Sequence, residues 1–285
     1  MADRGFVLVT GASRGLGRSV ALELARQGFS VFAGVRRSAD GEDLLRAASS
    51  DVRPLPLDVT SAESIAAAEV EVRRATAGCR LSGLVNNAAV FLFGPFEQTP
   101  LEAVDALFRV NVMGVVAVTQ RFLPLLRQAR GRIVNISSVN GKLSFPFSSF
   151  YSASKFALEA LSDALRAELQ PWDINVSVIE PGITRTDIRS QGVLNWTECR
   201  GSLGPDERAL YERTYMSLRD LVPQVDSGAA DHRHVVEAVH HALTAESPQT
   251  RYLAGPDTPQ WMGMASLPDR ERDEAFARMF GQPDA

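Results

Sequence analysis

The sequence predicts an α/β fold: a doubly wound parallel sheet of about seven strands with helices on both faces. Two observations carry that expectation. Short apolar runs alternate with helical stretches almost throughout the 285 residues, which argues for a parallel sheet covered on both sides. The first run, Phe6–Val9, reads as a buried strand and feeds straight into a glycine-rich turn, Thr10-Gly11-Ala-Ser-Arg14-Gly15-Leu-Gly17. Leu16, Val20, Ala21 and Leu24 then recur at helical spacing, and Gly28 closes that helix.

The remaining elements follow in order. Strands are predicted at Ser30–Val35, Val52–Leu57, Gly83–Asn86, Arg132–Ser137, Asn175–Glu180 and Arg251–Ala254. Thr60-x-x-Glu63 and Thr99-x-x-Glu102 read as capping boxes, the second with Pro100 at the first helical position. One long helix is predicted from Pro100 towards Leu126 and another from about Tyr151 to Leu169, before Pro171. Residues 187–230 lose periodicity and carry Gly192, Gly201, Gly204, Pro205 and Pro223 among scattered large side chains. A long irregular stretch of this kind is more often functional than decorative. A helix near Val235–Leu243 precedes the last strand, and the Pro268–Phe280 run could form a final helix with Phe276, Met279 and Phe280 as its apolar edge. The expected organisation is one domain over 1–285: a core over 1–186, a lid over 187–230, the last helix and strand over 231–255, and a tail over 256–285.

Composition excludes several classes of function. A net charge of −4 and a pI near 5.7 give no support for a nucleic-acid or anionic-membrane surface. Cys79 and Cys199 cannot make a disulfide framework and are expected to be reduced thiols. No apolar run reaches the ~20 residues of a membrane helix, and no signal peptide is expected before a strand that begins by Phe6. The protein is therefore expected to be cytoplasmic. His232, His234, His240 and His241 lie on one short helix and its lead-in without Cys or carboxylate partners at ligand spacing, so no metal is expected.

The chemistry is concentrated in two places. Strand, glycine-rich turn and helix is the context of a dinucleotide site. Gly11 permits the turn, Gly15 lets backbone approach a pyrophosphate at the helix N-terminus, and Gly17 allows close helix–sheet packing. Further on, Tyr151 and Lys155 stand at i, i+4 on one helical face, with Ser138 thirteen residues upstream. An ammonium near a phenol favours the phenolate, which makes the tyrosine a usable acid or base near neutrality. The end of the second strand reads Ala33-Gly-Val35-Arg36-Arg37, with no acid to meet a ribose 2′-hydroxyl. Arg14 and Arg36, with Arg37 near, could instead clamp a 2′-phosphate, so NADP(H) is preferred over NAD(H).

These residues resemble the short-chain dehydrogenase/reductase family, in the branch marked by T-G-x-x-x-G-x-G and Y-x-x-x-K. The match runs through Thr10–Gly17, Asp58, Asn86-Asn87-Ala88, Asn111, Ser138, Tyr151, Lys155 and Pro181-Gly182-x-x-x-Thr186, about two-thirds of the chain in motif order. One departure is Ala89, where the family has glycine. The resemblance implies a single-domain Rossmann fold and a catalytic set of Ser138, Tyr151, Lys155 and Asn111, the last kinking its helix and holding a relay water. It implies a cofactor held by Gly11, Ser13, Arg14, Gly15, Leu16, Gly17, Arg36, Arg37, Asp58, Val59, Asn87, Ala88, Tyr151, Lys155, Pro181, Gly182, Ile183 and Thr186. It also implies a homodimer or homotetramer paired through the two long helices.

Aromatic residues flank the expected pocket: Phe91 and Phe93 after the Asn-Asn-Ala motif, Phe145, Phe147 and Phe150 before Tyr151, and Trp196 and Tyr215 in the lid region. No Arg/Lys cluster there asks for an anionic substrate. The expected activity is NADPH-dependent reduction of a bulky lipophilic ketone, or oxidation of the alcohol, of steroid-like, retinoid-like, polyketide-like or aryl type. The strand-end sequences and the tail look most like the family's steroid and retinoid branch. The alternatives are a redox-neutral epimerase, dehydratase or cyclase, and a cofactor-sensing binding protein.

Overall fold

The computed structural model describes residues 4–48, 51–76, 80–185, 188, 196–198, 200–201 and 203–279. Thr186, Cys79 and Cys199 lie outside the described residues. Seven strands, β1 (Phe6–Val9), β2 (Ser30–Val35), β3 (Val52–Pro56), β4 (Leu81–Asn86), β5 (Arg132–Ile136), β6 (Asn175–Pro181) and β7 (Arg251–Ala254), form one sheet in the order β3-β2-β1-β4-β5-β6-β7. Every neighbouring pair is parallel, as predicted.

Both faces of the sheet are covered. Along β1, Val7 and Val9 point into one core and Phe6 and Leu8 into the other, which is the strand period of two in an element with no wet side. The first core is closed by Val20, Ala21 and Leu24 of α1 (Gly15–Arg26), by Leu44 of α2 (Ser38–Ala47) and by the later helix bearing Val235 and Val239. The second is closed by Ile65 and Val72 of α3 (Ala62–Ala75) and by Phe122 and Leu126 of α5 (Val115–Ala129). Full burial of side chains of this size is worth roughly 1.5–3 kcal/mol each.

Three details differ from the sequence expectation. Helix α3 is capped by Ser61, whose hydroxyl accepts from Ser64 N, while the Thr60 hydroxyl donates to Asp58. Thr99 donates its hydroxyl to Pro95 O instead of capping, and Pro100 occupies the cap position of α4 (Leu101–Phe108). The long helix is not continuous: a π-helical segment at Arg109–Gly114 separates α4 from α5. Such segments are uncommon and concentrate at functional sites.

Beyond α6 (Ser149–Leu169) and β6, the chain forms α7 (Pro205–Leu210), α8 (Glu212–Ser227) and α9 (Arg233–Thr244) before β7. The tail then makes α10 (Thr258–Ala265) and α11 (Asp269–Met279). Trp261 and Phe276 from these two helices pack with Val139 and Leu143 beyond β5, so the tail lies beside the carboxyl ends of the strands. Among the described residues no helix is long and apolar enough to cross a membrane.

Candidate active site

At the carboxyl ends of the strands the chain surrounds a cavity of about 740 Å³. Strand order reverses between β1 and β4, and the crevice outside such a reversal is where open α/β sheets take ligands.

One end of the cavity is the glycine-rich turn. Thr10 ties it to β4: its hydroxyl accepts from Asn87 N and Ala88 N, both at 3.0 Å. Asn87 returns the tie, with Nδ2 donating to Thr10 O at 2.9 Å and Gly11 O at 3.1 Å. Gly17 lies under this knot, where a Cβ would stand 2.3 Å from both Asn87 Nδ2 and Gly11 O. Gly15 has φ +55° and nothing within 4 Å of an added Cβ, so its backbone faces open space at the start of α1. An open cradle at a helix N-terminus suits a pyrophosphate. Ser13, Leu16 and Val59 complete this end.

Arg14 and Arg36 both line the cavity; Arg37 does not. Its guanidinium turns outward, 78% exposed, with Nη2 2.7 Å and Nε 3.0 Å from the carboxylate of Asp40. Asp58 also lines the cavity, where its Oδ1 accepts from the Thr60 hydroxyl at 2.7 Å and Thr60 N at 2.9 Å. Those bonds hold its carboxyl below the usual range.

The middle of the cavity holds Ser138, Tyr151 and Lys155. Tyr151 and Lys155 lie on the buried face of α6, 8% and 3% exposed. Lys155 Nζ sits 5.7 Å from the Tyr151 ring centre and donates to Ile136 O at 2.8 Å. Burial pushes the ammonium down to about 8, against the opposing pull of the Glu159 carboxylate. Ser138 caps a turn at Val139–Gly141, with Oγ accepting from Asn140 N at 3.1 Å and donating to Asn140 Oδ1 at 3.3 Å. Asn140 Nδ2 is in turn anchored on Ser148 Oγ and Ser152 Oγ, at 3.3 and 3.1 Å. Asn140 lines the cavity without a motif of its own; its one signal in the sequence is its place two residues after Ser138, in reach of a turn bond.

Asn111 does not reach the cavity. It stands on the π-helical segment and clips Val90, accepting from Val90 N at 2.8 Å and donating to Val90 O at 2.9 Å, with a further bond to Ser154 Oγ at 3.1 Å. Its amide is thereby satisfied, and it fixes the loop after β4 against α6.

The far end is apolar. Phe91, Phe93 and Phe145 line it, as do Ile183, Trp261 and Met279, while Pro181 and Gly182 border the centre. Phe91 meets Tyr151 edge-on at 4.5 Å, and Phe145 meets Trp261 at 5.1 Å. Asp257 Oδ2 joins this wall to the centre by accepting from Ile183 N and Trp261 Nε1, each at 2.7 Å. Phe147, Trp196 and Tyr215 lie behind Phe93 in a separate aromatic cluster and do not line the cavity. Phe150 is one residue, about a quarter-turn, from Tyr151 on the helix; it points away and stacks on exposed Phe96 at 4.8 Å. Trp261 carried no sequence signal because nothing in the tail's pattern says where the tail docks. The histidines serve separate ends: His232 contacts Ser19 Oγ and Arg185 O, and His241 contacts the Tyr252 hydroxyl.

Comparison with known proteins decides the family. A family model described as short chain dehydrogenase matches residues 5–194. The chain belongs to the short-chain dehydrogenase family. Among this short-chain dehydrogenase's relatives, mouse retinol dehydrogenase 5 is 35% identical over 99% of the chain and 91% of that protein. Bovine 17-beta-hydroxysteroid dehydrogenase type 6 is 36% identical over 98% and 89%. Bovine mitochondrial D-beta-hydroxybutyrate dehydrogenase is 39% identical over 86% and 75%. Two solved short-chain dehydrogenases are similar along nearly the whole length. One, from Burkholderia phymatum in complex with NAD, has a TM-score of 0.78 at 26% identity, covering 96% of each chain. The other, from Burkholderia cenocepacia in complex with NADP, has a TM-score of 0.70 at 25% identity, covering 99% of this chain and 98% of that one. The chain is thus an NAD(P)-dependent oxidoreductase of the class acting on CH–OH donors.

Proposed function

We propose that this dehydrogenase is an NADPH-dependent ketoreductase and secondary-alcohol dehydrogenase for bulky lipophilic substrates, with Tyr151 as the acid and base. The observation that carries the reading is a single cavity bounded by the open cradle at Gly15, by Ser138, Tyr151 and Lys155, and by an aromatic wall. Bound in the cradle, a nicotinamide dinucleotide would supply or accept the hydride. Tyr151 gives its proton to the carbonyl oxygen as charge develops there, and Ser138 donates a hydrogen bond to the same oxygen. Lys155 stabilises the charge left on the Tyr151 oxygen and offers donors to ribose hydroxyls. Its proton stays on at neutral pH because its pKa of about 8 is still above 7. Proton transfer of this kind contributes about 10²–10⁴-fold.

Arg14 and Arg36, facing the cavity with no acid at the end of β2, support NADP(H) over NAD(H). Asp58 and Val59 are assigned to the adenine side, and Asn87, Ala88, Pro181, Gly182 and Ile183 to the nicotinamide side. Asn111 is assigned a supporting role through Val90 and the π-helical segment. The same reading makes residues 187–230 a lid over the apolar end, to which Ile188 and Val225 contribute.

For the substrate, the relatives' names offer large apolar alcohols and one small hydroxy acid. The wall of Phe91, Phe93, Phe145, Trp261 and Met279 favours the former. A carboxylate would need a cation there, yet among the described lining residues the cations are Arg14 and Arg36 at the cradle, Lys155 at the centre and Arg109 paired with Asp105. Exposed Leu101 on α4 and Phe156 and Leu161 on α6 support pairing of copies through these helices.

The test is NADPH oxidation by the purified protein, followed by absorbance, against steroid, retinoid, polyketide-like and aryl ketones. Turnover that Tyr151→Phe reduces by about 10²-fold or more is expected. Turnover unchanged in that variant would remove Tyr151 as the acid.

A further inference from the structure

Helix α6 carries one more buried ionisable group on the stripe that holds the reacting pair. Glu159 follows Lys155 by four residues and Tyr151 by eight, so the three share a face. Glu159 is 4% exposed and faces a second carboxyl, Glu180 on β6, which is 2% exposed. Two cations hold the pair. Lys142, from the end of the turn that Ser138 begins, lies 3.2 Å from Glu159 Oε2 and 3.8 Å from Glu180 Oε1. Arg251 on β7 lies 3.1 Å from Glu159 Oε2 and 3.3 Å from Glu180 Oε1, and grips Asp163 on α6 with its other nitrogen at 2.7 Å.

Glu159 Oε1 and Glu180 Oε1 are buried without a hydrogen bond among the described residues, and Glu180 Oε1 is held by its ion pairs to Arg251 and Lys142 alone. Burial, and then the neighbouring Glu159 carboxylate, raise the Glu180 carboxyl to about 7, so Glu180 is the member of the pair that holds a proton near neutrality.

The cluster also touches the turn that carries Ser138. At Gly141 an added Cβ would stand 2.9 Å from Glu159 Cγ and 2.8 Å from Ser137 Oγ, so the turn lies directly on the Glu159 stem. Lys142 follows that turn and binds the pair from the same side. Glu159 thus lies one helical turn beyond Lys155 and against Gly141, the last residue of the turn that Ser138 begins.

Resting on the function proposed above, we infer that Glu159 and Glu180 are positioning residues: the Glu159 carboxylate keeps Lys155 charged, and the pair, through Lys142 and Gly141, seats the Ser138 turn. The groups facing the pair are Lys155 and Asp163 from α6, Lys142 from the turn and Arg251 from β7. Removing the Glu159 charge takes away an attraction that opposes the effect of burial on Lys155. Lys155 then loses its proton at lower pH, and activity fails earlier on the alkaline side.

The experiment compares pH–rate profiles of the wild type, Glu159→Gln and Lys142→Met, each checked for folding by circular dichroism. Infrared spectra of the same proteins across neutral pH read the protonated carboxyl directly. The expected result for Glu159→Gln is an alkaline limb moved down by about one pH unit, the usual effect of losing one nearby opposite charge. A carboxylic-acid band that titrates near neutrality is expected in the wild type. It should be absent in Glu180→Gln and should persist to higher pH in Lys142→Met, whose partly exposed side chain makes that variant tolerant of folding. An alkaline limb in Glu159→Gln superimposable on the wild type, or a wild-type protein without a titrating carboxyl band, would overturn the inference. Tyr151→Phe separates the two readings. If it is inactive while Glu159→Gln is unshifted, only this inference fails; if it is fully active, the assignment of the site itself fails.

Discussion

Replacing Arg36 by alanine tests which dinucleotide the cradle was built for. A charge-assisted hydrogen bond is worth about 1.5–3 kcal/mol, or roughly 10–150-fold in affinity, since each 1.4 kcal/mol is tenfold. Arg36 is exposed at the cavity edge, so water and salt screen it and the lower end of that range applies. The expected loss for NADPH is therefore about tenfold at physiological salt, and larger in dilute buffer. NADH has no 2′-phosphate, and its affinity should change by less than about threefold on the same reasoning. Arg37 provides the internal control. Its guanidinium is bonded to Asp40 and turned outward, so Arg37→Gln should cost NADPH under about threefold. The assay is titration of each dinucleotide by the change in its fluorescence on binding. Equal losses of NADPH and NADH in Arg36→Ala would refute the phosphate clamp, as would a greater NADPH loss in Arg37→Gln than in Arg36→Ala.

Other perturbations report on other parts of the cavity. Asn140→Ala removes the amide that orients Ser138; it should lower kcat roughly tenfold, about one hydrogen bond, with KM little changed. An effect confined to KM would place Asn140 outside the reaction centre. Trp261→Ala opens the apolar wall and takes a donor from Asp257. Losing about 50 Å² of apolar contact at 25 cal/mol per Å² should cost a large ketone close to tenfold in kcat/KM while sparing a small one. Uniform loss across the panel would mean that Trp261 supports the fold and not the choice of substrate. The Glu180 carboxyl, raised by burial and by Glu159 from 4.5 to about 7, takes up a proton on folding across that window. Its contribution to stability is present below pH 4.5 and lost as pH rises through 7. The melting temperature of the wild type relative to Glu180→Gln should therefore fall between pH 5 and 7, and a flat difference would contradict the raised pKa.

The parts that the sequence made legible are those where chemistry and backbone geometry demand a particular residue at a fixed spacing. Strands read as short apolar runs, most cleanly along β1 and β2, where all but Ser30 are buried on a sheet with both faces covered. The turn at Gly15 and the Tyr151–Lys155 pair were visible because an anion cradle and an i, i+4 contact are local. Errors began where two neighbouring residues could play one part. Thr60 and Ser61 compete for the same helix start, and only the packed chain shows that Thr60 turns back to Asp58 while Ser61 caps. Arg36 and Arg37 are adjacent arginines, and Asp40, three residues on, takes the second. Phe150 and Tyr151 are separated by a quarter-turn of helix, which sets the half-buried Phe150 ring on Phe96 and brings Tyr151 to the cavity.

The contacts that no local pattern contains are the long-range ones, and they dominate the two least legible parts of the site. Trp261 reaches the cavity because Asp257 accepts a bond from Ile183 N on one side and from the indole on the other. The acid lies 74 residues from the strand end it holds, and neither residue repeats a period that would mark it. Glu159 and Arg251 are 92 residues apart, and each reads alone as an ordinary charged residue of a helix or an edge strand. Yet burial forces the issue: a carboxylate on the same face as Lys155 cannot be left unpaired, so β7 must bring a cation to it. Under the proposed function, the cofactor half of the site lies in short motifs, whereas the tuning of Lys155 and the choice of substrate would lie in the docking of β7 and the tail. Substitutions at Asp257, Trp261, Glu159 or Arg251 should change specificity or pH dependence while every motif that identifies the family stays intact.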